Sequence, residues 1–513
     1  MQKTDKIAIL GYGVEGRAMC EYLLRHGYSD LTVCDQSASI DIPSGVKLRG
    51  GDEYLHGLSD FDVVFRSPGT SYFKKEIQEI ASDLDAHTVI SSMTKYFFDE
   101  CKCPIIGVTG TKGKGTTSSL ITEILRRSGR KVFLGGNIGV PSVSFLDELS
   151  ENSLVVLELS SFQLVDLERS PHIGVVLNVT SDHLDYHSSI EEYHESKYPI
   201  IEFQSEADFA ILNSDYAYAG EFGALGDGQK IYVSCRSEEV NGAWVGARGR
   251  DAWEDTTDAA RIDPALPRAV YYLGAEDVDS RERYPRHNYV KLIDTSAIAL
   301  LGRHNLENVL PAVSVARILG VSDAIIADAL REFRGLPHRL EPVHAIDVDV
   351  NHRARISFYN DSFSTTPDTC LAACSTFNDL GKPFFLIAGG SEKWSDFTNL
   401  GWKLSQMPML QKVFLMGPSG VRIGDAIVAG HATCVEDGTV CRLPVVCEVV
   451  DTLEEAVKKA YVEAKNLTLD SVNHEAVILM SPAAASFNEF KNYKERGEKF
   501  GEVAKWVTKE TAK

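Results

Sequence analysis

Short apolar runs recur along the chain, most of them followed by a loop of small and polar residues and then by apolar positions at helical spacing. Ile7–Leu10 is the first, and it feeds the G-x-G-x-x-G turn Gly11–Gly16 and a helical pattern with Met19, Tyr22, Leu23 and Leu24 on its apolar side. Leu31–Cys34 and Phe61–Phe65 continue the alternation, which closes near residue 98. A second series starts with Ile105–Val108, a glycine-rich loop, and a helix from Thr116 through Leu120, Ile121, Ile124 and Leu125. Lys131–Leu134, Leu154–Leu157 and a run from Val175 read as further buried strands, and Ile190–Ile201 as a helix containing Lys197. Residues 213–295 are polar and poorly periodic, and are expected to be peripheral elaboration. A helix opens in Leu301–Asn308, and the Gly and Pro of Gly335–Arg339 mark an interdomain hinge. A third series follows: Ile356–Tyr359, Phe384–Ala388, Val413–Met416 and Ala476–Met480, with helices such as Leu453–Ala464 between them. Continuous apolar strands alternating with helices predict an α/β fold built on parallel sheets.

Length and composition narrow this further. A chain of 513 residues exceeds what one core holds, so about two to four domains are expected. The formal net charge of −21 argues against a protein that grips nucleic-acid backbone, which rewards a basic face. No apolar run approaches a membrane span, and the polar start after Met1 lacks a signal-peptide pattern. The ten cysteines are scattered without zinc-site pairing, so reduced thiols in a cytoplasmic setting are expected.

Candidate chemistry lies in the loops that follow the strands. In Thr109–Thr117 the glycines Gly110, Gly113 and Gly115 let backbone N–H groups converge on an anion, and the following helix adds its positive end. Lys114 is placed to reach the outer phosphates of a nucleotide. Gly115 stands where a Ser or Thr usually follows the lysine, so the Mg²⁺-binding hydroxyl passes to Thr116. Glu158 ends an otherwise apolar strand, where a carboxylate is costly without a cation, so Mg²⁺ is expected there. Asp182, His183 and Asp185 follow another strand and are candidate metal or phosphate contacts. Gly11–Gly16 with Asp35 also fits a dinucleotide fold, leaving an NAD-dependent oxidoreductase as the alternative.

Taken together, Thr109–Lys114, Gly136–Gly139, Leu157–Leu164, Asn178–His183, Gly302–Asn305, Gly335–Arg339 and Asn360–Ser362 resemble the motifs of the Mur ligases, ATP-dependent amide-forming enzymes of peptidoglycan precursor synthesis. They span nearly the whole chain in the expected order. The Rossmann-like first segment and Leu479–Tyr493 are most similar to family members that add glutamate to UDP-N-acetylmuramoyl-L-alanine. The resemblance implies three domains: residues 1–98 for the UDP substrate, 99–338 for ATP, and a Rossmann-like 339–513 for glutamate. It implies a cytoplasmic monomer with no nucleic-acid partner and no membrane insertion.

The resemblance also assigns roles. Gly110, Thr111, Lys112, Gly113, Lys114, Gly115, Thr116 and Thr117, with Asn305, Arg339 and Asp361, would bind ATP. Val14, Glu15, Gln36, Ser37, Asn137, Ser160, Gln163 and His183 would hold the nucleotide-sugar substrate. Thr365, Lys393, Ser486, Phe487 and Tyr493 would serve glutamate. Thr116, Glu158, His183 and Lys197 (as a carbamate) would hold Mg²⁺, and Lys114, His183 and Lys197 would be catalytic. The implied mechanism is phosphoryl transfer from ATP to the substrate carboxylate, then attack of the glutamate amine on the acyl phosphate. One departure bears on specificity: the usual Asp-Ser-Lys-Ala-Thr reads Asp361–Thr365 with Phe363 in the lysine's place. D-glutamate is the default; this pattern resembles variants that add L-glutamate, and a ligase of the same family with another amino acid is the further alternative, ahead of the distant oxidoreductase reading.

Overall fold

The computed structural model describes residues 1–83, 85–180, 186–237, 240–247, 268–273, 289–348, 354–436, 444–470, 475–487 and 489–510. The chain divides into two compact units, one of Met1–Ala299 with Leu306–Phe333 and one of Leu300–Asn305 with Arg334–Lys513.

The first unit holds two parallel sheets. One is five-stranded, in the order Lys47–Gly50, Leu31–Asp35, Ile7–Leu10, Val63–Arg66, Val89–Ser92. Its first strand lies between neighbours reached by crossovers in opposite directions, and ligands bind at such a switch point, beyond the carboxyl ends of the strands. The turn there is held tightly. A Cβ on Gly16 would stand 2.0 Å from the Gly11 carbonyl oxygen, so helix Val14–Arg25 can approach the strand only with glycine at that position. The second sheet is six-stranded: Gln229–Val233, Phe209–Asn213, Ile173–Val176, Ile105–Thr109, Leu154–Glu158, Val132–Gly136. Its switch point is again beside the first strand of the series, Ile105–Thr109. Helix Lys114–Arg127 follows and buries Leu120, Ile121, Ile124 and Leu125.

Two expectations are corrected in this unit. Residues 213–295 are not wholly peripheral, because Gln229–Val233 pairs in parallel with Phe209–Asn213 as the edge of the phosphate-loop sheet. Trp244–Ala247, Arg268–Leu273 and Tyr289–Asp294 then form a separate antiparallel sheet. The helix expected over Ile190–Ile201 stops at Glu195, and a single 3₁₀ turn, Tyr198–Ile200, follows. Pro199 has no N–H to give the Glu195 carbonyl, and its ring collides with that carbonyl in a continuous helix.

The second unit carries a six-stranded sheet: Glu341–Asp347, Arg355–Asn360, Glu475–Met480, Phe384–Gly389, Leu410–Met416, Val446–Val450. It is not wholly parallel as expected, since Glu341–Asp347 runs antiparallel to its neighbour. Apolar clusters fill both faces: Phe377, Leu386, Leu404 and Ile423 on one, and Ile356, Phe358, Ile387, Val457 and Phe500 on the other.

Candidate functional site

In the first unit the phosphate loop is preorganised by its own backbone. Gly113 has φ +88°, and a Cβ there would lie 2.1 Å from Asn308 Oδ1, so only glycine fits. Gly113 caps helix Lys114–Arg127 with no side-chain hydrogen bond, leaving that end of the helix free of a capping oxygen. Lys114 Nζ donates to the Gly110 and Thr111 carbonyls at 2.8 and 3.0 Å, which holds the ammonium over the loop. Thr111 N–H donates to the Asn178 carbonyl at 2.7 Å, tying the loop to the segment beyond the neighbouring strand. Lys112 is exposed, whereas Gly115, Thr116 and Thr117 are buried, and Thr117 Oγ1 lies 3.4 Å from Asn308 Oδ1.

Glu158 is buried at the carboxyl end of its strand, where Asn137 Nδ2 donates to Glu158 Oε1 at 2.8 Å. Among the described residues, Thr109 Oγ1 and Asn178 Oδ1 are buried without a hydrogen-bond partner, at or just beyond the carboxyl ends of the strands on one side of the loop. Orphaned buried oxygens are costly by themselves and suit a cation with its water shell. Carboxylate, hydroxyl and amide oxygens are the donor types that suit Mg²⁺. Lys197 is fully buried, with Nζ 4.3 Å from the centre of the Tyr193 ring, and the Tyr193 hydroxyl is 3.0 Å from Thr111 Oγ1. His183, with Asp182 and Asp185, lies outside the described residues.

A cleft of about 570 Å³ opens within this unit between the switch point of the five-stranded sheet and the loop beyond edge strand Val132–Gly136, lined by Gly11–Glu15, Asp35, Gln36, Tyr54, Ser67–Thr70, Gly136–Gly139 and Pro141. It brings Val14, Glu15, Gln36 and Asn137 to one wall system. Ser37 does not line it. Asp35, the residue behind the oxidoreductase alternative, is committed to the backbone: its oxygens accept from Tyr12 N–H at 2.7 Å and Ser37 N–H at 2.9 Å.

Glu15 accepts a 2.7 Å hydrogen bond from Gln163 Nε2, and burial pushes its carboxyl up to about 7. Gln163 in turn accepts from Ser160 N–H at 3.0 Å in a capping box for the short helix Ser161–Leu164. Two features here escaped the sequence reading. Arg66, fully buried, pairs with Asp166 at 2.9 Å and donates to the Phe162 and Thr70 carbonyls. Its signal was available, since a charge ending an apolar strand is the same anomaly as Glu158. The other is buried His187, whose Nε2 is 3.0 Å from Ser161 Oγ and whose Nδ1 is 3.2 Å from Glu192 Oε1. It fastens together the segments leading to Ser160 and to Lys197, and no local pattern announced it.

In the second unit Asp361 is buried beside three donors. Ser481 Oγ donates at 2.6 Å, Leu340 N–H at 3.1 Å, and Ser364 is a further partner, while desolvation still pushes the carboxyl up to about 6. Phe363 is 38 % exposed, with the Arg339 guanidinium 3.9 Å from its ring centre and Tyr493 against it at 4.9 Å. Phe363, Arg339 and Tyr493 thus form one cluster, and buried Arg496 anchors it by donating to Ser362 Oγ and the Ser362 carbonyl at 3.0 Å. Ser486 is buried, Thr365 half-buried, and Lys393 and Phe487 exposed. Asn305 Nδ2 donates to the Leu301 carbonyl at 2.6 Å. Positive φ at His338, Leu340, Trp394 and Ala483, none of them glycine, stores backbone strain in the loops around this cluster.

Comparison with known proteins agrees with this geometry. Residues 108–316 match the Mur ligase middle domain. The UDP-N-acetylmuramoylalanine–D-glutamate ligase of Symbiobacterium thermophilum is 32% identical over 504 residues, covering 97% of each chain. The enzyme of the same name from Acetivibrio thermocellus is 33% identical, covering 98% of this chain and 96% of its own. Among solved structures, the UDP-N-acetylmuramate–alanine ligase of Thermotoga maritima covers 99% of this chain and is itself fully covered, with TM-score 0.55 and 18% identity. The MurF ligase of the same organism, in complex with ADP, matches with TM-score 0.55 and 14% identity, again over 99% of this chain and all of its own. None of these relatives supports the oxidoreductase alternative. The chain belongs to the Mur ligase family and is an ATP-dependent, amide-bond-forming ligase.

Proposed function

We propose that the protein joins D-glutamate to UDP-N-acetylmuramoyl-L-alanine with hydrolysis of ATP to ADP and phosphate, a step of peptidoglycan precursor synthesis. The full-length similarity to relatives bearing that activity's name carries the reading. The assignment of residues 1–98, 99–338 and 339–513 to UDP substrate, ATP and glutamate, and a cytoplasmic monomer, belong to the same proposal.

Lys114 and the N–H groups of Gly110–Thr117 would receive the ATP phosphates, in a loop whose shape Gly113 enforces. Thr116, Glu158, His183 and a carbamate on Lys197 would hold Mg²⁺, which supplies positive charge to phosphoryl oxygens. Lys197 is buried with its Nζ against the Tyr193 ring, and a carbamate there would turn a cation into an acid able to hold metal ions. Val14, Glu15, Gln36, Asn137, Ser160 and Gln163 would orient the nucleotide substrate so that its carboxylate attacks the γ-phosphate. Ser37 is retained as a backbone contact. Carboxylate is a poor electrophile; as acyl phosphate it has a leaving group, and the glutamate amine displaces it. Asn305, Arg339 and Asp361 keep their assignment to ATP, and Thr365, Lys393, Ser486, Phe487 and Tyr493 theirs to glutamate.

Phe363 favours a second reading, L-glutamate, because it removes the lysine that the usual motif offers to a glutamate carboxylate. Incubation with ATP, Mg²⁺, UDP-N-acetylmuramoyl-L-alanine and either enantiomer, followed by chromatography against both diastereomeric products, tests the choice. The D-glutamyl product is expected, and the L-glutamyl product alone would replace the first reading by the second.

A further inference from the structure

Cys101 and Cys103 stand between helix Met93–Glu100 and strand Ile105–Thr109, on the short segment that leads into the phosphate loop. Their sulfurs are 3.7 Å apart, and Cys101 Sγ also lies 3.4 Å from the Cys103 carbonyl oxygen. Cys101 is half-buried, so a small reagent can reach it, whereas Cys103 is buried behind it. Among the other described cysteines, Cys370 and Cys374 also form a thiol pair but both are buried, Cys20, Cys34 and Cys235 are buried, and half-buried Cys447 meets the Val445 carbonyl and an apolar cluster. The two thiols divide the labour of exchange. A hydrogen bond from Cys103 stabilises the Cys101 thiolate and lowers its pKa below the usual thiol range, while the same contact and burial raise that of Cys103. An accessible thiolate with a second thiol in van der Waals contact is the arrangement of an attacking and a resolving cysteine.

We propose that Cys101 and Cys103 form a thiol–disulfide exchange site that takes low-molecular-weight disulfides such as oxidised glutathione. Cys101, its proton lost to solvent, attacks as thiolate one sulfur of the small disulfide, forming a mixed disulfide and releasing one small thiolate, which takes up a proton from solvent. Cys103, losing its proton to solvent, then attacks Cys101 Sγ and expels the second small thiolate. The balance is one protein dithiol and one small disulfide giving one protein disulfide and two small thiols. The resulting ring spans a single intervening residue, Lys102, and such a strained disulfide is readily reduced again, as a reversible site requires.

The test uses the full chain in an anaerobic glutathione series, quenched with acid, alkylated with iodoacetamide and mapped by peptide mass. As the oxidised fraction rises, the peptide carrying Cys101 and Cys103 should lose two hydrogens and both alkylation marks, and dithiothreitol should restore them. Cys103→Ser should stop at a glutathione adduct on Cys101, and Cys103→Ala provides the same reading if serine is poorly tolerated in that buried position. Alkylation of both cysteines throughout the series in the unaltered chain would overturn the proposal. So would the absence of an adduct on Cys101 in both variants.

Discussion

Arg66→Met removes a buried charge whose partners cannot rearrange to water. Arg66 is fully buried, and the Asp166 side chain is 7 % exposed. The substitution strips Asp166 of contacts at 2.9 and 3.2 Å and leaves the Phe162 and Thr70 carbonyls without their guanidinium donor. Among the described residues Asp166 Oδ1 already lacks a hydrogen bond, so none of them offers the carboxylate a replacement. Breaking one side of such a pair costs about 3–5 kcal/mol. That is a change of about 10²- to 10³-fold or more in local opening, at about 1.4 kcal/mol per tenfold. Hydrogen exchange read by peptide mass spectrometry measures it directly and avoids treating a chain of two units as two-state. Amides in residues 66–70 and 162–167 should exchange faster by that factor. Arg66→Met with Asp166→Leu should recover much of the loss, because no charge is then left buried. Lys75→Ala, which breaks the exposed Lys75–Glu79 pair, should change exchange by less than about 1 kcal/mol. Exchange in Arg66→Met within about threefold of the unaltered chain would refute the reasoning.

Three further outcomes are expected. Lys114→Ala should lower turnover by about 10²- to 10³-fold while leaving the affinity for the UDP substrate unchanged, as measured by steady-state kinetics and calorimetry. Glu15, raised from 4.5 to about 7 by burial, favours the folded state most fully below pH 4.5, and that contribution is lost as pH rises through about 7. Glu15→Gln keeps the contact to Gln163 and should flatten this part of the stability–pH profile, measured by denaturant titration from pH 5 to 8. Lys197→Ala should abolish turnover, with partial recovery on adding a short carboxylic acid; unchanged turnover without the acid would remove Lys197 from the metal site.

The strands that form the sheet centres were legible because burial on both faces demands unbroken apolar runs, as in Ile7–Leu10, Leu154–Glu158 and Phe384–Gly389. The two edge strands of the second unit were not. Glu341–Asp347 and Val446–Val450 are partly solvated, so their sequences lack that run, and the antiparallel edge went unread with them. The phosphate loop was legible residue by residue because its conformation restricts which residues fit. The ties between distant segments were not, since Gln163–Glu15, Arg66–Asp166 and His187–Ser161 each join side chains that only the fold brings together. The Phe363–Arg339 stack belongs to the same class: the missing lysine was visible in the sequence, but not the guanidinium that covers the ring in its place.

The most direct test of the central claim is phosphate release from ATP with UDP-N-acetylmuramoyl-L-alanine and Mg²⁺, adding D-glutamate or L-glutamate separately. The account predicts sustained release only when ATP, the nucleotide substrate and D-glutamate are all present, and release lowered by about 10²- to 10³-fold in Lys114→Ala. Release that is indifferent to the nucleotide substrate, or absent with both enantiomers, would contradict it.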